Sequence, residues 1–173
     1  MQYSGLYLDL FLRFNVRFKS RFNSFIGCAD RDFALIQHET KLYAVNIPEL
    51  TKHLFYQLML IQFQSCDMMQ LKPAPKLFDL IRIALESPDS GWTETDGDKD
   101  ELAKNAVRIL SEKVDLLDDY FSIQISNNSE EDGGWELSSI PILLEGFSPD
   151  LNQIPIFALK LAVAVEWTEE VAW

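Results

Sequence analysis

The sequence predicts an α+β fold in two subdomains, a mixed sheet-and-helix part from about 22 to 88 and a helix–hairpin–helix part from about 96 to 170. Three observations carry this. Strand-like and helix-like hydrophobic periods alternate between Ser24 and Leu85. A polar, acidic stretch punctuated by Pro and Gly interrupts the chain from Ser87 to Asp100, the mark of a boundary. Beyond it come an amphipathic helix, an alternating hairpin and an apolar helix, in that order.

From Leu6 to Lys19 the residues largely alternate, Leu8, Leu10, Leu12, Phe14, Val16 and Phe18 against Asp9, Arg13, Asn15, Arg17 and Lys19, with Phe11 the exception. That period fits a half-buried edge strand. Charges interrupt it too often for a membrane span, and it lacks the apolar run and cleavage site of a signal peptide. A mitochondrial presequence would share its basic character but would have the period of a helix.

Ser24 to Cys28 and Phe33 to Val45 are strand-forming stretches around the turn-like Ala29-Asp30-Arg31-Asp32. Asn46 is placed to cap a helix, because its side chain satisfies free N–H groups, Pro48 in the first turn needs none, and Glu49 suits the positive end of the dipole. This helix should run to about Phe63. It carries two apolar stripes, Leu50, Leu54, Leu58 and Ile61 on one and Tyr56, Leu60 and Phe63 on the other. A surface helix normally shows one stripe, so this one is either buried on both sides or part of a subunit interface.

A short apolar piece, Met68 to Leu71, precedes the chain-breaking Pro73-Ala74-Pro75. A helix from about Lys76 to Leu85 follows, burying Leu77, Ile81, Ala84 and Leu85. Past the acidic stretch, Asp98 with Glu101 three residues on opens a longer helix carrying Leu102, Ala106, Ile109, Leu110, Val114, Leu117 and Phe121. Phe121 to Ile125 and Trp135 to Leu144 form the expected hairpin. Ile154 to Val165, apolar nearly all round and too short to cross a bilayer, reads as a buried helix with Pro155 in its first turn.

The chain carries 15 Lys+Arg against 27 Asp+Glu, a formal charge of −12. This argues against a stand-alone nucleic-acid binder, since Lys and Arg supply the contacts that dominate DNA affinity. With 47% apolar residues there is material for a packed core. The charge is uneven: residues 1 to 85 carry a net +3, residues 86 to 136 a net −11 and residues 137 to 173 a net −4. Cys28 and Cys66, with no secretory context, read as free buried thiols of an intracellular protein.

Chemical motifs are sparse. The serine-hydrolase, phosphate-loop and dinucleotide patterns are absent. Cys28, His38, His53 and Cys66 lie far apart and give no paired metal-ligand spacing. His38 fits a strand position with an ordinary hydrogen bond, and His53 a solvated helix face. The acids between Asp89 and Glu101 lack the alternating ligands of a calcium loop and read as a solvated linker.

Several blocks nevertheless occur in a telling order: Ser24-Phe25-Ile26-Gly27-Cys28, Ala34-Leu35-Ile36-Gln37-His38-Glu39-Thr40-Lys41-Leu42-Tyr43, Leu54-Phe55-Tyr56-Gln57, Pro73-Ala74-Pro75, Ser90-Gly91-Trp92-Thr93-Glu94, Asp119-Tyr120-Phe121-Ser122, and Ile154-Pro155-Ile156-Phe157-Ala158-Leu159 with Val165-Glu166-Trp167. Together, from about 22 to 170, they resemble the C-terminal domain of the Mlh-type subunit of eukaryotic MutL. On this resemblance residues 1–21 are a divergent N-terminal segment, 22–88 part of the dimerisation subdomain, and 89–100 an acidic linker. Residues 101–173 form a second, external subdomain that stops before the closing helices and the family's C-terminal Phe-Glu-Arg-Cys.

The resemblance implies a nuclear dimerisation module that pairs with a Pms-type chain and is recruited by MutS-type mismatch sensors, with little direct DNA binding. Pms-type partners carry a metal-binding Asp-Gln-His-Ala-x-x-Glu-Arg motif. Here Gln37 and His38 match it, but Ile36 and Leu42 stand where the acids belong, and aliphatic side chains cannot ligate a cation. A non-catalytic scaffold is therefore expected, with no metal or other cofactor in this chain; the family binds ATP through an N-terminal domain absent here. The expected partner contacts are Tyr56, Leu60 and Phe63. A metal-dependent endonuclease subunit and a non-functional truncated product are the alternatives, and a chain ending at Trp173 is expected to expose apolar surface.

Overall fold

The computed structural model describes residues 23–127 and 134–167. The strand expected between Leu6 and Lys19 lies outside them. The chain divides into two compact units, Met1–Gln62 and Phe63–Trp173.

The first unit contains strands β1 (Asn23–Cys28), β2 (Phe33–His38) and β3 (Lys41–Asn46), then helix α1 (Ile47–Ile61). The strands form an antiparallel sheet in sequence order. Asp30 makes the first turn, its carboxylate accepting from the backbone N–H groups of Asp32 and Phe33, both at 2.8 Å. The stretch expected as one strand from Phe33 to Val45 folds back on itself at Glu39-Thr40, where Glu39 has a φ of 54°. Residues opposed in an antiparallel pair share a face. The register pairs Ala34 with Val45 and Ile36 with Tyr43 on one face, and Leu35 with Ala44 and Gln37 with Leu42 on the other.

The second unit holds β4 (Asp67–Gln70), α2 (Leu77–Glu86), α3 (Lys99–Ser111), α4 (Val114–Phe121), β5 (Gln124–Asn127), β6 (Trp135–Ile142) and α5 (Ile154–Val163). Its sheet runs β4-β6-β5, all antiparallel. The expected hairpin is β5–β6. The short apolar piece before Pro73 proves to be a third strand, paired to the far side of β6.

One core serves this unit: Leu77 and Ile81 from α2, Ala103 and Leu110 from α3, Leu117 from α4, Leu137 from β6, and Ala158 and Ala162 from α5. Ala84, Ala103, Ala106, Ala158 and Ala162 are all buried, and side chains this small let helices approach closely where α2, α3 and α5 meet. The single long helix expected after Asp98 is two. Its cap is as predicted, with the Asp98 carboxylate accepting from the N–H groups of Asp100 and Glu101, both at 3.0 Å. The break comes near its middle, where the Ser111 hydroxyl donates to the Arg108 carbonyl at 2.8 Å and Lys113 leaves helical geometry. The change of direction buries both Leu110 and Leu117 completely. The last helix is buried at Ile154, Ala158, Leu159 and Ala162 but not all round, because Val163 is 64% exposed.

The boundary expected in the acidic stretch is not where the chain separates. Residues 87–98 are an ordered excursion within the second unit, since α2 before them and α3 after them share one core. Pro88–Ser90 and Glu94–Asp96 form short 3-10 turns. The Asp96 carboxylate accepts from the Thr93 N–H at 2.7 Å, which holds it below the usual carboxylate range. The Trp92 indole donates to the Gly97 carbonyl at 3.2 Å, and the Lys99 ammonium lies 4.2 Å from the centre of its ring. Composition suggested a solvated linker because a count of charges does not record the hydrogen bonds of Asp96 and Trp92 that order it.

Candidate partner interface

Helix α1 carries the predicted contact residues. The Asn46 side chain accepts from the Glu49 N–H at 3.0 Å and Pro48 sits in the first turn, so the helix begins directly after β3. The Ile47 N–H, which has no partner within the helix, donates to the Asp32 carbonyl at 2.7 Å. These two bonds fix how the helix leaves the sheet. Ile47 and Leu54 are then buried, and Leu50 and Leu58 are half-buried on the same stripe. Ile61, expected on that stripe, is exposed.

The second stripe is open. Tyr56 is 61% exposed and Leu60 53% exposed, four residues apart on one helical face, with Ile61 beside them. Of the two readings that the sequence left for this helix, burial on both sides therefore does not hold. Phe63, expected at the end of this helix, lies just beyond it. The helix ends at Ile61 with Gln62 as its cap, and Phe63 belongs to the second unit. There its ring lies 5.3 Å from Tyr120 and 5.9 Å, edge-on, from Phe121. Tyr56 and Leu60 share a face of α1, and Phe63 follows the end of that helix.

The sheet adds apolar surface that the sequence reading missed. Ile26, Phe33, Leu42 and Tyr43 are all exposed. In sequence they look like ordinary strand residues, and a three-stranded sheet with one helix has too little material to cover both faces. Exposed large apolar side chains thus occur on α1 and this sheet, and others, among them Ile83, Leu151 and Val163, lie in the second unit.

The residues considered as metal ligands are dispersed. Gln37 and His38 end β2, and the Gln37 amide donates to the Glu39 carbonyl across the turn at 2.9 Å. Ile36 is half-buried and Leu42 exposed, His53 is exposed on α1, and Cys66 lies in the other unit. Among the described residues, no group of three or more His, Cys, Asp or Glu side chains is arranged to hold a metal. Neither cysteine is in a disulfide. Cys28, expected to be buried, is exposed at the end of a strand on the edge of its sheet; Cys66 is buried. Burial first and the Asp67 charge second push the Cys66 thiol up, against a hydrogen bond with Ser122. Among the described residues, no helix is long and apolar enough to cross a membrane.

A family model described as "DNA mismatch repair protein Mlh1 C-terminus" matches residues 18–172, across both units. The chain belongs to the Mlh1 C-terminal family. It is 43% identical over 146 residues to the DNA mismatch repair protein Mlh1 of Dictyostelium discoideum, which is 84% of this chain and 16% of that protein. It is 29% identical over 154 residues to the DNA mismatch repair protein MLH1 of Saccharomyces cerevisiae, 85% of this chain and 19% of that one. The chain thus spans less than a fifth of the length of either relative. The ordered blocks from about 22 to 170 that carried the resemblance lie inside the family match.

Proposed function

We propose that this chain is a non-catalytic subunit-pairing domain of a MutL-type mismatch repair heterodimer, and that it acts in the nucleus by holding a Pms-type endonuclease subunit. The observation that carries the reading is the open Tyr56–Leu60 stripe on α1, in a chain of the Mlh1 C-terminal family. A contiguous exposed apolar patch, rather than a single exposed apolar side chain, marks a surface that a partner covers. Tyr is common among residues that dominate binding energy, because its ring buries a large area at a small entropic cost. Phe63, on the second unit with Tyr120, is a further contact.

In this reading the chain binds no metal or other cofactor. The side chains of Ile36 and Leu42 offer no oxygen or nitrogen to a cation, and the ATP chemistry belongs to another part of such subunits. Recruitment by MutS-type sensors is a property of the whole complex, as is DNA affinity, for which a chain of net charge −12 is poorly suited.

The test is co-purification with a Pms-type subunit. Leu60→Glu combined with Tyr56→Glu places two charges on the open face without touching the buried stripe, so pairing is expected to be lost while the isolated chain keeps its circular dichroism spectrum. Undiminished pairing would sink the assignment of this face. Nicking of supercoiled DNA by this chain alone with manganese would replace the scaffold reading by a catalytic one.

A further inference from the structure

We propose that the groove between α2, α3 and β6 is a docking site for a short peptide segment carrying a large apolar side chain beside an acidic residue. The groove encloses about 750 Å³, a size suited to a few side chains. Phe78 from α2, Val107 from α3 and Trp135 at the start of β6 supply its apolar lining. Val107 is buried, and the half-buried Phe78 and Trp135 rings pack against the core of the unit, so this lining is held in place before anything binds.

Among the described residues, the ionisable side chains lining the groove are Lys104 and Arg108, and none is a carboxylate. Asp100, one turn before Lys104, is engaged by Arg82, and among the described residues Lys104 has no ion-pair partner. Arg108 donates to Glu112 at 2.9 Å and to the Asn105 side-chain oxygen at 2.8 Å. Those bonds use two of its five N–H donors and fix the plane of the guanidinium, leaving the others for a carboxylate. Apolar side chains, an aromatic ring and an oriented Arg form the combination that dominates binding at protein interfaces.

The occupant is a short segment because of the surrounding field. The stretch from 86 to 136 carries a net −11, which repels an extended polyanion such as a nucleic acid. Screening over a Debye length of about 10 Å confines the attraction of Lys104 and Arg108 to groups seated in the groove itself. A single acid next to a Leu or Phe feels the two cations without bringing further charge under that field.

The experiment is fluorescence polarisation on the full chain with a labelled acetyl-Glu-Leu-Phe-Asp-amide peptide, its Lys-Leu-Phe-Lys counterpart and a twelve-nucleotide oligo-dT. The acidic peptide should bind saturably and the basic one about tenfold more weakly, a difference of about 1.4 kcal/mol. Lys104 and Arg108 are exposed, so the Lys104→Gln, Arg108→Gln double variant should keep its circular dichroism spectrum and lose that preference. Equal binding of the two peptides, no saturable binding of the acidic one, an unchanged preference in the variant, or tighter binding of the oligonucleotide would each overturn the proposal.

Discussion

Arg82 on α2 and Asp100 on α3, 18 residues apart in sequence, form an ion pair in which the Arg82 Nε donates to Asp100 Oδ1 at 2.5 Å. Arg82 also pairs with Glu86, and Glu86 accepts from Lys99 at 3.2 Å. Four side chains from the two ends of the acidic excursion are thereby cross-linked. Isolated exposed pairs contribute little, but linked charges act together to close a loop.

Replacing Arg82 should loosen this closure. In Arg82→Gln, amide hydrogen exchange in residues 88–98 is expected to accelerate while α2 and α3 core amides keep their protection. Unchanged exchange in the loop would mean that Trp92 and Lys99 hold it without the ion pairs.

The same network makes a pH prediction. The Arg82 hydrogen bond, followed by that of Lys99, holds the Glu86 carboxyl below its ordinary value of 4.5. A carboxyl with a lowered folded-state pKa binds fewer protons folded than unfolded near that value. Its stabilisation is therefore complete above pH 4.5 and disappears as pH falls through the lowered folded-state value. Thermal melts of the protein and of Glu86→Gln should differ in midpoint at neutral pH and converge in acid. A difference that grows in acid would contradict the pairing.

Leu110 is completely buried in the core of the second unit. Leu110→Ala should destabilise that unit by about 2–5 kcal/mol, the transfer term plus a cavity that the fully packed neighbours fill incompletely. Chemical denaturation followed by Trp fluorescence reads this directly, and a loss below about 1 kcal/mol would indicate a site able to collapse.

The cap of α1 should matter to the first unit. Asn46→Ala removes the acceptor for the Glu49 N–H and should cost about 1 kcal/mol, visible as a lower midpoint of unfolding. Asn46→Ser, which keeps an acceptor, is expected to recover most of that loss.

The local elements were legible in the sequence wherever a short-range rule applied. Asn46 and Asp98 cap helices because an oxygen there reaches N–H groups two or three residues on. Leu77, Ile81, Ala84 and Leu85 fall on one buried stripe as their spacing requires. The ordered blocks pointed to the family for the same reason, being strings of local identity.

Long-range pairing decided the rest. The amino-acid sequence by itself determined where most helices and strands begin and that α1 carries two apolar stripes, because helical period and capping depend on neighbours within a few residues. Only the tertiary structure decided which stripe is covered, that Phe63 leaves the helix to join Tyr120, and that an acidic stretch resembling a linker is tied down by Arg82 and Lys99. Burial and ion pairing depend on groups brought together from distant positions, and periodicity along the chain cannot record them.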